Sequence, residues 1–360
     1  MSSITLDARA PAARPASSIK ALDDKAMLRA AAELTRDLIA PKPHVYWADM
    51  VGSALLGYAA LVAAVTLSGG WAVAAGVVAV LALYRAMSFI HEVSHMKHVG
   101  GMRGFRQGWD ALVGVPMLIP SFMYEGVHTL HHAKTRYGTV EDPEYLPLAL
   151  MKPWTLPAFI LISALAPVGL LIRYGVLAPL SLFVPSLRKA VVERYSALAI
   201  NPQFRRRAPD GEAKRYWTRV EAAASVWAIV LIVTTVSGVI PVRAFLIGFG
   251  IASAVAVLNQ VRTLVAHLWE NDGEPMSVTA QYLDSVNVPP PTLLPALWAP
   301  VGLRYHALHH LLPGLPYHAL GEAHRRLSGA LDGESPFHKA SYTGLPYLAA
   351  KIGRSTLGRR

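Results

Sequence analysis

The chain has 360 residues, of which 53% are hydrophobic and only 16% are charged, and its formal net charge is +11. Soluble domains carry about 25% charged residues, so this composition favours a membrane protein. The basic residues alternate with long uncharged stretches, which argues against a nucleic-acid partner. The sequence has no cysteine. This absence excludes disulfides and thiolate-bound clusters, so any metal must use nitrogen or oxygen ligands.

The first 47 residues are polar and rich in alanine. They lack the short apolar run and the cleavage site of a signal peptide. Residues 1–47 are predicted to be a cytoplasmic N-terminal region, with a loose tail over 1–20 and an amphipathic helix at the membrane surface over 21–40. A membrane domain over 48–330 and a basic C-terminal tail over 331–360 are predicted to follow.

Two transmembrane hairpins are predicted, because a span needs about 20 mostly apolar residues. The first hairpin combines residues 51–69 with residues 71–90, and the two segments meet at a Gly-Gly pair. The second hairpin combines residues 222–242 with residues 244–261. These four segments carry almost no charge, so each is expected to cross the bilayer.

Two weaker apolar segments lie between the hairpins. Residues 109–120 are too short to span, and residues 157–183 contain Pro167, Arg173 and Pro179. Both segments are predicted to be interfacial or re-entrant helices. The expected fold is therefore an all-α integral membrane protein with about four transmembrane helices in two hairpins and a cytoplasmic helical cap.

The distribution of basic residues predicts the orientation of the chain. Segment 186–219 holds nine Lys or Arg against three acids, whereas the turns of the hairpins carry almost no charge. The positive-inside rule then places both termini and every long polar segment in the cytoplasm. The arginine run at 205–207 also has a simpler interpretation, as an anchor that faces the membrane.

Eight of the fourteen histidines form three clusters beside the predicted spans. A helix places residues three and four positions apart on one face, so their imidazoles can reach one metal ion. One such pair arises by chance, but no structural need explains three clusters at one membrane boundary. The predicted metal ligands are His91, His95, His128, His131, His132, His306, His309 and His310.

The other histidines are less informative. His267 stands alone just past the last predicted span, where it is either a further ligand or a hydrogen-bonded interfacial residue. His98 lies off the face that His91 and His95 share, and it is left out of the predicted site. The remaining four are predicted to be surface residues or neighbours of the site: His44, His318, His324 and His338.

The number of ligands indicates two metal ions, because a structural zinc site uses four ligands and a catalytic one uses three. Imidazole nitrogen suits zinc, copper, iron and nickel. A redox role beside the bilayer favours iron, although the spacing alone does not exclude copper.

Segments 91–95 (HEVSH), 128–132 (HTLHH) and 306–310 (HALHH) resemble the three histidine boxes of the membrane fatty acid desaturase superfamily. The likeness covers roughly residues 50–325, and the four-residue step of the first box is similar to acyl-lipid desaturases. The resemblance implies two iron ions in a non-haem di-iron centre, with O₂ as co-substrate. It also implies that His267 is the ninth ligand and that no catalytic residue is separate from the metal ligands.

The resemblance implies an O₂-dependent acyl-lipid desaturase that introduces a double bond into a lipid acyl chain. The alternative is a hydroxylase or other oxygenase on the same core, acting on a fatty acyl, sphingoid, sterol or carotenoid substrate. The spacing of the boxes does not separate these outcomes. A metal transporter, the rival from another class, would place ligands along a path at the bilayer midplane, whereas these histidines cluster at one face.

The sequence has neither the His-Pro-Gly-Gly signature of a fused cytochrome b5 nor a cysteine motif for an iron–sulfur cluster. Electrons are therefore expected from a separate donor, either a ferredoxin or a cytochrome b5-like protein. An acidic donor would be attracted to the basic cytoplasmic face. The other predicted partners are the lipid substrate and the lipids of the membrane.

Metal-bound histidines usually donate their other N–H to a carboxylate or a carbonyl. The acids near the boxes are candidates for this role: Glu92, Glu125, Asp142, Glu144, Glu270 and Asp272. Arg262 and Asn259, at the end of the last span, are further candidates because polar groups at this depth are costly and often functional. Snorkelling of Arg262 to the interface and helix packing by Asn259 are the alternatives.

Overall fold

The computed structural model describes residues 23–96, 100–292 and 294–357. Across these residues the protein is helical, and its β-structure is limited to isolated bridges. The prediction of an all-α membrane fold is confirmed by helices that are long and apolar enough to cross a bilayer. His98 and the predicted loose tail over residues 1–20 lie outside the described residues.

Long helices alternate with short ones along the described chain. The first half contains α1 (Lys25–Leu34), α2 (Pro43–Thr66), α3 (Gly69–Met96), α4 (Phe105–Trp109), α5 (Val127–His131), α6 (Thr155–Leu161), α7 (Ala166–Ile172) and α8 (Ala178–Leu180). The second half contains α9 (Pro185–Arg194), α10 (Gly211–Val236), α11 (Val242–Leu264), α12 (Val278–Asp284), α13 (Pro295–Trp298), α14 (His306–Leu311), α15 (Leu320–Ala330) and α16 (Leu345–Leu357). Short 3-10 turns lie at Arg36–Leu38, Gly100–Met102, Ser121–Met123, Leu148–Leu150, Ile162–Leu165, Tyr317–Ala319 and Pro336–Ala340, and π-helical turns lie at Asp110–Gly114 and Arg173–Leu177.

Five helical segments of the described chain are long and apolar enough to span a membrane. Four of them, α2, α3, α10 and α11, match the four predicted segments; α2 packs along α3, whereas α10 packs on the turn Arg173–Leu177 and α11 packs on α3. The fifth is the run Thr155–Leu180, which contains α6, α7 and α8. Length and composition therefore give five candidate membrane spans, one more than the four that were expected.

Pro167, Arg173 and Pro179 were expected to interrupt the run Thr155–Leu180, but the structure is helical along its whole length. Pro167 and Pro179 each lie in the first turn of a helix, where a missing backbone N–H removes no helical hydrogen bond. The turns at Ile162–Leu165 and Arg173–Leu177 keep the path helical between these starts. The guanidinium of Arg173 is neutralised by Glu221 of α10 at 2.5 Å.

The length of α3 explains how the first pair of histidines reaches its position. Its 28 residues extend about 42 Å at 1.5 Å per residue. The hydrocarbon core is only about 30 Å thick, so the last turns of α3 project beyond it. Residues 86–93 of this helix are buried on every side, whereas Trp71 and Val73 in its first turns are exposed. The end of α3 is therefore enclosed by protein and carries His91 and His95 into the cap.

The cap is built on several apolar clusters that hold the loops around the histidines. Tyr46 of α2 packs edge-on against Phe89, Phe105 and Tyr317, which ties the end of α3 to the cap. An isolated bridge between His267 and Ser285 joins the segment after α11 to the end of α12. The third histidine box forms α14, whose six residues are all buried.

The two ends of the described chain pack onto the cap. The apolar face of α1 packs on protein rather than on the membrane surface. Its Met27 and Ala31 are buried against Ala323 and Leu327 of α15. This contact differs from the expected surface helix. The stretch predicted as a basic tail contains α16, whose Ile352 is buried in a cap cluster.

Close packing within the first hairpin gives a test of the fold. A Cβ atom on Gly57 would lie 2.7 Å from the side chain and 3.1 Å from the backbone nitrogen of Leu83. Gly57→Val is therefore expected to force α2 and α3 apart and to lower the free energy of unfolding by about 1–3 kcal/mol. The midpoint of thermal unfolding in detergent measures this loss.

Gly52→Val is the matched control in the same helix, because a Cβ atom there meets no atom of the described residues within 4 Å. It is expected to leave the midpoint close to that of the unmodified protein. Equal midpoints for the two variants would contradict the packing of α2 on α3.

Candidate metal centre

The first histidine group contains five residues brought together by three separate segments. The group is His91 and His95 of α3, His128 and His132 at α5, and His309 of α14. One ligand nitrogen from each ring lies within 4.8 Å of the ligand nitrogens of the other four. His95 and His132 are only half-buried, so this group lies nearer to the surface of the cap.

The second histidine group contains the other four predicted ligands. His131, His267, His306 and His310 again have ligand nitrogens within 4.8 Å of one another, and all four are buried. His267 meets His306 with their Nε2 atoms 3.0 Å apart. Within the described residues, the nine histidines therefore form one group of five and one group of four.

The second and third boxes divide their histidines between the two groups. His128 and His132 belong to the first group, whereas His131 belongs to the second. In the third box, His309 belongs to the first group, and the other two histidines belong to the second. A shared helical face therefore brings the rings of a box near one another without assigning them all to one metal.

The nitrogens of both groups fit metal ions. The Nε2 atoms of His128 and His132 lie 3.0 Å apart, and so do those of His132 and His309. Two nitrogens that bind one ion at about 2.1 Å and at right angles would be separated by about 3 Å. The Nε2 atoms of His91 and His95 are buried without a hydrogen-bond partner among the described residues. Buried ring nitrogens without protein partners are suited to coordinate a cation.

Two of the rings are oriented by a tyrosine that is itself bound to a carboxylate. His267 Nδ1 lies 2.8 Å from the Tyr137 hydroxyl, which donates to Asp284 at 2.8 Å. His128 Nδ1 lies 2.8 Å from the Tyr124 hydroxyl, which donates to Glu144 at 2.9 Å. Each ring can thus donate from Nδ1 and keep Nε2 free for a metal ion.

Carboxylates also orient His131 and His91. Asp142 Oδ2 lies 2.9 Å from His131 Nδ1 and is fully buried. The Glu92 carboxylate lies 3.4 Å from His91 Nδ1, and it accepts a hydrogen bond from Tyr46 at 2.5 Å. Asp142, Glu92 and Glu144 therefore each lie within 3.4 Å of a ring nitrogen of a box histidine.

The tyrosines beside the rings were not predicted from the sequence. Tyr124 precedes His128 by four residues, so the helical spacing that found the boxes could have found it as well. Tyr46 and Tyr137 carry no such signal, because tertiary structure alone brings them to Glu92 and to His267.

His306 has a different environment from the other rings. One guanidinium nitrogen of Arg262 lies 3.0 Å from His306 Nδ1. Since arginine only donates hydrogen bonds, His306 accepts at this atom. A neutral His306 that accepts at Nδ1 carries its proton on Nε2, so a metal ion could bind at Nε2 only if Nδ1 carried the proton instead and the contact with Arg262 were lost.

Burial keeps most of these rings neutral. Burial first, and the charge of neighbouring imidazoles second, hold the pKa of His128, His132 and His309 well below the usual range. His131 is the exception: burial is the largest single effect and lowers its pKa, but the charge and hydrogen bond of Asp142, together with the charges of Glu144 and Asp284, raise the pKa above its usual value. Neutral imidazole is the form that binds a metal ion, so the site favours coordination over protonation.

The remaining candidates lie elsewhere. Glu125 pairs with Arg106 at 2.5 Å, and Glu270 and Asp272 are exposed. Among the described residues Asn259 forms no side-chain hydrogen bond to a histidine, but it lines a cavity next to the two groups.

This cavity has a volume of about 870 Å³ and is lined mainly by apolar side chains. His91, His267 and His306 lie at one end of it. Thr66 at the end of α2 and Phe245 near the start of α11 lie at the other end, on the far side of the membrane helices. The cavity thus connects both histidine groups to the region that lipid chains occupy.

The family profile described as Fatty acid desaturase matches residues 68–343. The chain belongs to the fatty acid desaturase family. A protein named ceramide hydroxylase, from Caulobacter vibrioides (strain NA1000 / CB15N), is 49% identical to it over 327 residues. The match covers 91% of this chain and 93% of that relative. The chain is accordingly a membrane oxidoreductase that acts on lipids.

The comparison corrects the predicted reaction. The expectation of an acyl-lipid desaturase is wrong as the main interpretation, because a relative matched over nearly its whole length is named a hydroxylase. The three boxes belong to the whole family and therefore could not separate the two reactions.

The contact between Asp142 and His131 gives a test of the site. Asp142→Asn is expected to lower the affinity for metal about 10–100-fold, because the ring of His131 loses the carboxylate that orients it. The purified protein is dialysed against a weak chelator, and the metal that it retains is measured by elemental mass spectrometry. A lower metal content reports the loss of affinity.

Glu141→Gln is the control, since this neighbouring carboxylate is exposed and pairs only loosely with Arg136 at 3.6 Å. It is expected to retain as much metal as the unmodified protein. Equal retention by both variants would show that Asp142 has no part in holding the metal.

Proposed function

We propose that the chain is an O₂-dependent lipid hydroxylase that inserts one oxygen atom into a C–H bond of a ceramide or a closely related sphingolipid. The observation that carries this proposal is the 49% identity to a ceramide hydroxylase over 91% of the chain and 93% of the relative. The cavity supports it, because a long apolar space that ends at His91, His267 and His306 suits a lipid chain.

The proposed centre contains two iron ions held by nine histidines. The first ion would be held within the group of His91, His95, His128, His132 and His309, and the second within the group of His131, His267, His306 and His310. Imidazole nitrogen is a suitable ligand for iron, and the family supports this choice. When bound, the iron ions supply the activation of O₂ for which no side chain is strong enough.

The reaction balances with an external reductant. One oxygen atom of O₂ enters the C–H bond, and the other leaves as water after taking up two electrons and two protons. The sequence has no cysteine for an iron–sulfur cluster. The electrons are therefore proposed to come from a separate ferredoxin or cytochrome b5-like protein, and the basic segment 186–219 would attract an acidic donor.

The protein residues hold the ligands and the lipid in place. Asp142 and the pairs of Tyr124 with Glu144 and Tyr137 with Asp284 fix the rings, so little reorganisation is needed during the reaction. The apolar walls of the cavity exclude water from the lipid chain. Both termini and the metal centre are proposed to lie on the cytoplasmic side, as the positive-inside rule indicates.

Product analysis tests the proposal. Membranes that contain the chain, ceramide and a reducing system are expected to form ceramide with one additional oxygen atom, and isotopically labelled O₂ should supply that atom. His309→Ala is expected to reduce the product to the background level, because it removes a ligand from the first group. Mass spectrometry of the extracted lipids measures both results.

His324→Ala is the matched control, since His324 is buried in the cap but belongs to neither histidine group. It is expected to retain most of the activity. A product that has lost two hydrogens, or labelled oxygen absent from the product, would contradict the proposed hydroxylase.

A further inference from the structure

The polar groups that line most of the cavity already have partners. The hydroxyls of Thr66 and Ser163 donate to carbonyls of their own helices, and the hydroxyl of Tyr58 donates to the carbonyl of Leu112. Near the metal centre, Ser88 and Thr263 also donate to backbone carbonyls. These side chains present little hydrogen-bonding capacity to a ligand.

One turn of α11 near the metal centre is different. Asn259 and Gln260 both line the cavity, and neither side-chain amide has a hydrogen-bond partner among the residues that the structure describes. Arg262 lines the same end and uses one nitrogen to contact His306. Its guanidinium makes no ion pair within 4.0 Å in the described part of the chain.

Unpartnered amides at this depth are costly. Removing an amide from water without a compensating hydrogen bond costs about 1–3 kcal/mol of free energy, judged from mutational data. Lipid chains offer no hydrogen bonds to compensate for this loss. Because α11 carries two such side chains beside the metal centre, a polar ligand is the natural partner for them.

The chemistry of the three residues indicates the kind of ligand. Asn259 and Gln260 each offer one carbonyl acceptor and an NH₂ donor, whereas Arg262 offers donors alone. An amide that bears neighbouring hydroxyls matches this combination, since it both donates and accepts. A carboxylate matches less well, because it only accepts and because Glu144 lines the same end of the cavity.

We propose that Asn259, Gln260 and Arg262 form the binding site for the amide and hydroxyl head of the lipid substrate. This inference rests on the proposed ceramide hydroxylase function and adds the residues that recognise the head group. They are specificity residues, because they contact the substrate and take no part in the metal ligand groups.

The position of this site determines which carbon is oxidised. The cavity follows α11 from Ala244 to Thr263, a distance of about 28 Å at 1.5 Å per residue. With the head beside Arg262, the apolar chain extends away from the metal centre along this length. The carbon that meets the metal centre then lies within a few bonds of the amide rather than in the middle of the chain.

The test combines the position of the hydroxyl with binding. Tandem mass spectrometry of the product from the unmodified protein is expected to locate the hydroxyl within a few bonds of the amide. The double variant Asn259→Leu with Gln260→Met is expected to raise KM for ceramide roughly tenfold, as loss of one or two net hydrogen bonds predicts. It should also weaken binding of a fluorescent ceramide and retain the same metal content.

Gln203→Met is the control, because it makes the same amide-to-apolar change at an exposed residue outside the cavity. It is expected to leave KM and the hydroxyl position unchanged. A hydroxyl in the middle of the chain, an unaltered KM in the double variant, or a preference for free fatty acid over ceramide would overturn the head-group site. Absence of any hydroxylated lipid from the unmodified protein would instead overturn the proposed function.

Discussion

The structure depends on nine imidazoles, seven of them buried and two half-buried, in two adjoining groups at the end of the membrane helices. Uncharged rings are required there, because several protonated imidazoles at these distances would repel one another strongly at low dielectric. Burial supplies this condition by lowering the pKa of rings such as His128 and His309. The same burial leaves ring nitrogens such as His91 Nε2 without a partner among the described residues, and a pair of cations is the simplest compensation for them.

The remaining architecture serves to hold these rings at one depth. The length of α3 carries His91 and His95 past the hydrocarbon core, and α14 brings the third box to them from a distant part of the chain. Carboxylates and tyrosines then orient the rings by contacting their Nδ1 atoms, as Asp142 does for His131. The cavity reaches the rings from the membrane helices, and Tyr124 and Glu144, which orient His128, are also part of its wall.

Local spacing made much of this predictable. Apolar length predicted the helices of both hairpins, and the i, i+3 and i+4 steps predicted the clustered histidines. The run Thr155–Leu180 was predicted as an interfacial or re-entrant helix, but its continuity could not be predicted, because the helix starts at Pro167 and Pro179 and the pairing of Arg173 with Glu221 depend on tertiary packing. The division of His131 from His132 and the role of Tyr137 are equally non-local. The reaction was mispredicted because the boxes are common to the family.

The most direct test of the central claim is the metal content of the purified protein. Elemental analysis with a parallel determination of protein concentration should give two iron ions per chain, since the histidines form two groups that can each hold one ion. Copper in place of iron, or a single ion per chain after full reconstitution, would contradict the assignment of both groups to a di-iron centre.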